Sequence, residues 1–211
     1  LITTKRGKEG KITTTYNTYL GVQSIAQNLK FLNSLGFMEA FNSAQPGAFP
    51  DETLDLYRSG VGVGTEAAPD TDWVDRLFNS AAIQQYHSLA VRGGSEKLQV
   101  ASSVSFTDQD GNIANFNFKR FNGRFNLDYK LSDKIDLAFD LNFRREVRSQ
   151  PAALTNLSRQ AYRLQPLFIA INDDGTNGAG FGGGQPIGLV NSGSLNETIS
   201  NYFRGLIKAT Y

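Results

Sequence analysis

The 211-residue sequence contains no cysteine, one methionine, one tryptophan and one histidine. Without cysteine the chain has no disulfide framework, no zinc ribbon and no thiol nucleophile. The 21 Lys and Arg residues balance 20 Asp and Glu residues, so the net charge of +1 gives no indication of a nucleic-acid or acidic partner. No apolar run reaches the roughly 18 residues that a membrane-spanning helix needs. These absences exclude helical membrane proteins, disulfide-rich domains and cysteine enzymes.

The residues that are abundant favour β-structure. The sequence has 21 glycines, 15 phenylalanines and 8 tyrosines, which suits aromatic strands joined by turns. Apolar and polar residues alternate with a period of two, the pattern of a strand with one apolar face. The pattern is clearest at 118–130 and 135–144, is also present at 98–107, and recurs more weakly at 12–21, 83–92 and 201–211. The sequence therefore predicts an all-β protein.

The two clearest strands separate their residues into two sets, and no charge enters the apolar set. We predict that the apolar set faces lipid and consists of Phe121, Phe125, Leu127, Tyr129, Ile135, Leu137, Phe139, Leu141 and Phe143. We predict that the polar set faces a lumen and consists of Arg120, Asn122, Arg124, Asn126, Asp128, Asp136, Asp140, Asn142 and Arg144. Hydration and cross-strand pairing explain such a polar wall better than catalysis does.

The connections between strands alternate in length along the chain. Tight turns at 93–96 and 131–134 alternate with long loops at 21–82, 108–117 and 149–200. Strands of about ten residues with short turns at one end and long loops at the other are typical of an antiparallel outer-membrane barrel. Within the long loops, the sequence predicts helical segments at 29–44, after a cap at 70–72, and at 153–164. The glycine-rich stretch 175–184 is predicted to be a flexible extracellular tip rather than a phosphate loop.

Few residues are candidates for a catalytic or metal-binding role. His87 has no second histidine or cysteine with which to bind a metal, so a surface or interface role is favoured. Asp108–Asn112 resembles a calcium loop only superficially, because its glycine is fourth rather than sixth, and a turn is the better interpretation. Asn172–Gly175 is interpreted in the same way, with cation binding as the less favoured alternative. We predict no catalytic residue, no metal and no cofactor, and the sequence identifies no ligand-binding residue.

Several motifs, in order along nearly the whole chain, resemble the TonB-dependent outer-membrane transporters of the SusC/RagA branch. They are Leu1–Lys8, Thr71–Trp73 with Leu77–Phe78, Leu89–Lys97, Asp108–Gly111, Phe118–Arg124, and Arg163–Pro166 with Asp174–Gly175. The resemblance implies a plugged antiparallel transmembrane barrel of about 22 strands with helices in its extracellular loops. Residues 1–10 would then be the end of the plug domain, and residues 11–211 would hold the first six strands.

The resemblance also implies a function and partners. The whole protein would actively import a glycan or peptide-like nutrient across the outer membrane of a Gram-negative bacterium, without enzymatic chemistry. A SusD-like surface lipoprotein would be its lid, TonB would supply energy through a segment absent from this chain, and outer-membrane lipid would surround it. The alternative is a soluble β-sandwich carbohydrate-binding or adhesin domain, which predicts short loops at both ends. An enzyme is the third possibility, and it lacks any acid, base or metal set.

Overall fold

A computed structural model describes residues 6–180 and 184–211 of the chain. The strands form one sheet in the order β1 to β6, and each strand is antiparallel to its neighbours. The strands are β1 (Gly10–Gln23), β2 (Ala82–Gly94), β3 (Leu98–Asp110), β4 (Asn117–Ser132), β5 (Ile135–Pro151) and β6 (Leu195–Thr210). All six predicted strands are thus present. Residues 1–5 of the Leu1–Lys8 motif and residues 181–183 of the predicted glycine-rich tip lie outside the described residues.

The strands extend beyond the predicted boundaries, mainly at the long-loop end. The connections are therefore 24–81, 111–116 and 152–194 instead of 21–82, 108–117 and 149–200, and β1 already includes Gly10. The middle connection is shorter than predicted. Backbone pairing continues above the apolar residues because ladder hydrogen bonds do not require apolar side chains, so the alternation ends before the strand does.

The pairing register places all apolar-set residues on one face of the sheet. Directly paired residues share a face, and the β4–β5 ladder pairs Tyr129 with Leu137, Leu127 with Phe139, and Phe125 with Leu141. The same face continues through Leu89, Val104 and Phe203 on the neighbouring strands. This apolar face is largely uncovered: Phe203 is 70% exposed and Ile207 is 71% exposed.

The apolar face has a defined height. No charged residue lies on it between the rung that joins Leu98, Tyr129 and Leu137 and the rung that joins Leu89, Val104 and Phe143. Arg145, opposite Phe121, is the first charge above this band on β5. On β5 the charge-free positions of this face run from Ile135 to Phe143. Nine residues along a strand tilted by about 40° span roughly 20 Å, comparable to the apolar band of about 25 Å in outer-membrane barrels.

The described parts of the long loops contain five helices: α1 (Ser34–Ala44), α2 (Asp51–Ser59), α3 (Trp73–Leu77), α4 (Leu154–Ala161) and α5 (Pro186–Asn191). The predicted helix at 29–44 begins later, because the Asn33 side chain accepts a hydrogen bond from the Gly36 amide and caps the helix there. The predicted helix at 153–164 is also shorter and ends at Ala161. The cap before α3 is confirmed as Asp72, which accepts from the amides of Val74 and Asp75. No helix among the described residues is long and apolar enough to cross a membrane.

The long loops pack against one another around a shared apolar core. The core consists of Trp73, Leu77, Leu157, Ala161, Ala170 and Val190, with Ile113 of the middle connection packed against it. The Trp73 indole nitrogen donates a hydrogen bond of 2.9 Å to the Gln165 carbonyl, which joins the first long loop to the third. The loops therefore form a folded cap at one end of the sheet.

Candidate functional site: the polar face of the sheet

The nine residues of the predicted polar set share the face opposite the apolar one. They interact laterally rather than converging on one point. The Arg124 Nε donates to the Asn142 amide oxygen at 3.0 Å, and the Asn122 amide donates to the Ser105 hydroxyl at 3.0 Å. Asn126 is almost completely buried within this face, with 1% of its surface exposed. The arrangement offers rows of hydrogen-bonding and ion-pairing groups.

The longer strands add polar-face residues that lie outside the predicted set. Arg148 and Glu146 extend the β5 row, and β6 contributes Arg204 and Tyr202. Arg144, Glu146 and Arg148 keep the period of two of β5, but the charged Arg145 between them ends the alternation of polar and apolar residues, so the sequence pattern stops before this extension. The place of Arg204 and Tyr202 on the polar face could be predicted only from the weaker alternation of polar and apolar residues in β6.

The N-terminal segment, which is described from Arg6 onward, lies on the polar face at the tight-turn end. The Arg6 guanidinium forms ion pairs of 2.5 Å with Asp128 and 2.9 Å with Asp140. Gly7 is buried, and a Cβ atom there would lie 2.6 Å from the Val100 backbone nitrogen, so glycine permits this close approach. Nothing in the local sequence could have predicted contacts between residues this far apart in the chain.

Among the described residues, two grooves lie on the polar face. One, of about 360 Å³, is at the tight-turn end and is lined by Arg6, Asp128 and Lys208 among others. The other, of about 550 Å³, lies further toward the long loops and is lined by Ser103, Arg124 and Arg144 among others. A smaller groove of about 130 Å³ lies among the loops, beside Trp73.

His87 lies on the apolar face, where it pairs with Phe106 of β3. Its Nδ1 is 2.8 Å from the Tyr16 hydroxyl and 3.0 Å from the Thr18 hydroxyl of β1. These contacts satisfy the ring nitrogen within the sheet. Across residues 6–180 and 184–211, no group of three or more His, Asp or Glu residues is placed to hold a metal ion.

The two acidic segments considered as cation sites, Asp108–Asn112 and Asn172–Gly175, form local hydrogen bonds. The Asn117 amide donates to Asp108 at 2.9 Å and to Asp110 at 2.8 Å, on the apolar face above the band. The Asp174 carboxylate accepts from the amide and hydroxyl of Thr176, and these hydrogen bonds lower the pKa of Asp174 below its ordinary value. Both segments thus have protein donors for their carboxylates.

Comparison with known proteins identifies relatives for the whole chain, although no protein-family model matches it. A TonB-dependent receptor of Formosa agariphila is 26% identical over 222 residues, which cover 100% of this chain and 21% of that protein. A second TonB-dependent receptor of the same organism is 23% identical and covers 100% of this chain and 20% of that protein. The chain is similar to the TonB-dependent receptors. The predicted resemblance is confirmed.

The similarity to TonB-dependent receptors includes SusC of Bacteroides thetaiotaomicron, which is 27% identical over 60% of this chain and 11% of SusC. The fold matches the RagAB peptide importer in its closed-closed state, with a TM-score of 0.53 and 21% identity over 69% of this chain and 19% of that chain. The open-open state gives a TM-score of 0.52. The chain thus spans 11–21% of the length of the curated TonB-dependent receptors that it matches.

Proposed function

We propose that residues 11–211 are the first six strands of an outer-membrane barrel of about 22 strands, and that residues 1–10 end its plug domain. The whole protein then imports a nutrient oligomer, a glycan or a peptide-like chain, across the outer membrane of a Gram-negative bacterium, and it is not an enzyme. The observation that carries this proposal is the single sheet, with an uncovered, charge-free band on one face and rows of charged side chains on the other.

The apolar face supports contact with lipid. Large uncovered apolar surfaces are rare on soluble monomers, and here the band has roughly the height of a bilayer's apolar region. The nine residues of the apolar set, from Phe121 to Phe143, would face lipid, and the nine residues of the polar set, from Arg120 to Arg144, would face the lumen.

The N-terminal segment supports the assignment of the polar face to the lumen. A plug fills the interior of a barrel of this size, so the chain that leaves it should lie against the inner wall. Arg6 and Gly7 lie on the polar face, as this topology requires. The outer strands β1 and β6 have open edges, which further strands must pair if the sheet is in a membrane.

The proposed partners follow from the resemblance to TonB-dependent receptors. A SusD-like surface lipoprotein would cover the extracellular loops, and TonB would supply energy through a segment of the plug. In this topology the folded cap around Trp73 lies outside the cell.

The alternative, a soluble β-sandwich, is weakened by the structure. A sandwich buries its apolar face against a second sheet, whereas the strands of the described residues form one sheet. The unequal lengths of the connections at the two ends also argue against it.

Labelling of intact cells tests the proposed topology. We expect a membrane-impermeant thiol reagent to label Asp173→Cys, in an exposed turn of the third long loop, because this loop is extracellular. The matched variant Asp133→Cys, in the tight turn between β4 and β5, should be labelled only after the outer membrane is breached. Labelling of Asp133→Cys in intact cells, with Asp173→Cys protected, would mean that the topology is the reverse of the proposed one. Equal labelling of both variants would contradict the proposal that the sheet crosses the membrane.

A further inference from the structure

Positive charge is concentrated in one half of the polar face. Toward the long loops, the charged residues on this face of the strands are five arginines and a single acid, Glu146. We name these arginines, which lie on three adjacent strands, the arginine patch: Arg120, Arg124, Arg144, Arg148 and Arg204.

The tight-turn half of the same face is different. There Asp128, Asp136 and Asp140 accompany Arg92, Lys130 and Lys208, and Arg6 adds its ion pairs to two of the carboxylates. The N-terminal segment therefore meets a wall whose charges are balanced. The arginine patch lies beyond it, between this segment and the folded loops.

The patch has few partners within the described residues. Arg144 has one ion pair, at 3.6 Å to Glu146, while Arg148 and Arg204 are exposed and form none with the described part of the chain. The Nε of Arg120 is buried without a hydrogen-bond partner among those residues. Like charges on one face of a sheet repel each other, so an anion bound here would reduce the repulsion between these arginines.

Two arginines of the patch, Arg124 and Arg144, line a groove large enough for a solute. The groove of about 550 Å³ is lined on this face by Ser103, Asn122, Arg124, Asn142, Arg144 and Tyr202. The Arg144 guanidinium lies 5.5 Å from the centre of the Tyr202 ring, and Arg120 and Arg148 lie 5.9 and 6.0 Å from that of Phe118. Aromatic contacts of this kind hold guanidinium groups in place while their remaining donors stay available.

We propose that the arginine patch binds an anionic oligosaccharide, one that carries carboxylate or sulfate groups, as the imported solute. This inference rests on the proposed function, since it requires the polar face to line the lumen. Arginine presents a planar fork of donors that matches carboxylate and sulfate oxygens, and the resulting hydrogen bonds are charge-assisted.

The neutral lining favours a sugar chain over a peptide. Between the arginines, the groove presents hydroxyl groups, side-chain amides and the half-exposed Tyr202 ring. Sugar hydroxyls can exchange hydrogen bonds with all of these groups, and a tyrosine ring offers an apolar face beside its polar hydroxyl. Recognition of peptide side chains would call for apolar pockets between the polar groups, and this part of the described wall presents hydroxyls and amides instead.

Calorimetric titration of the complete transporter tests the inference with two neighbouring arginines. The probes are oligogalacturonate, a neutral maltooligosaccharide of equal length, and an oligoglutamate of equal charge. We expect oligogalacturonate to bind most tightly, and Arg144→Gln to weaken it about tenfold, as expected for one lost charged hydrogen bond. Arg145→Gln removes the same charge from the opposite face and should leave the affinity unchanged. The affinity of the double variant Arg144→Gln with Arg204→Gln for oligogalacturonate should be about a hundredfold lower.

Four results would overturn the inference while leaving the import proposal to the labelling experiment. The first is equal affinity for oligogalacturonate and the neutral sugar, or binding of neither, and the second is an equal loss in Arg144→Gln and Arg145→Gln. The third is tighter binding of oligoglutamate, which would indicate a peptide solute. The fourth is a lower melting temperature of Arg144→Gln with unchanged affinity, which would mean that the patch pairs with the plug. If the inference holds, raising the salt concentration should weaken oligogalacturonate binding in the parent more than in Arg144→Gln.

Discussion

Replacing Leu141 by arginine is expected to destabilise the complete protein in a bilayer by about 2–4 kcal/mol. Leu141 pairs with Phe125 near the middle of the apolar band, so the guanidinium would lie near the bilayer midplane. Charge there must either lose its hydration or distort the lipid. The measurement is the free energy of unfolding by urea titration in phospholipid vesicles.

Ala138→Arg is the matched control for this substitution. Ala138 lies three residues away on the same strand and on the polar face, opposite Asp128. An arginine there would face the proposed lumen with carboxylates nearby, so we expect an effect below about 1 kcal/mol. Equal losses in the two variants would contradict the assignment of the faces.

Trp73→Ala is expected to have the largest effect, a loss of about 3–5 kcal/mol in the stability of the loop cap. The Trp73 side chain is 3% exposed in the core that joins the long loops, and its indole nitrogen donates to Gln165. Truncation leaves both a cavity and an unpaired carbonyl. Because the loops can open without the sheet, the measurement is hydrogen exchange of the backbone amides in α3 and α4.

Val61→Ala serves as the control for the loop cap. Val61 belongs to the same long loop and is 71% exposed, so its truncation should change exchange protection by less than about 0.5 kcal/mol. If Trp73→Ala leaves the protection of α4 unchanged, the first and third long loops do not depend on each other.

The sequence predicted the sheet well because its strongest signal is physical. A strand with one apolar and one polar face must alternate strictly, so the order of residues in β4 and β5 predicted which side chains share a face. The register then follows from the tight turn between them, and the observed pairing of Leu127 with Phe139 agrees with the predicted faces.

Other features were beyond the sequence for equally physical reasons. The strand ends extend past the apolar band, where polar side chains no longer alternate with apolar ones. The helices α2 and α5 are short and lie in loops, and their stability comes from packing that sequence periodicity does not encode. The contact between Arg6 and Asp140 joins residues that only the fold brings together.

We propose that this sheet separates lipid from a polar lumen. The most direct measurement is a nitroxide scan along β5, with single-cysteine variants from position 135 to 145 of the complete protein in vesicles. The chain itself contributes no cysteine to interfere with the labelling. Collision with dissolved oxygen should peak at the odd positions from Ile135 to Phe143, and a polar nickel reagent should not reach these positions at mid-depth. Oxygen accessibility without a period of two, or with maxima at even positions such as Asp140 and Asn142, would contradict the proposal that the sheet separates lipid from a polar lumen.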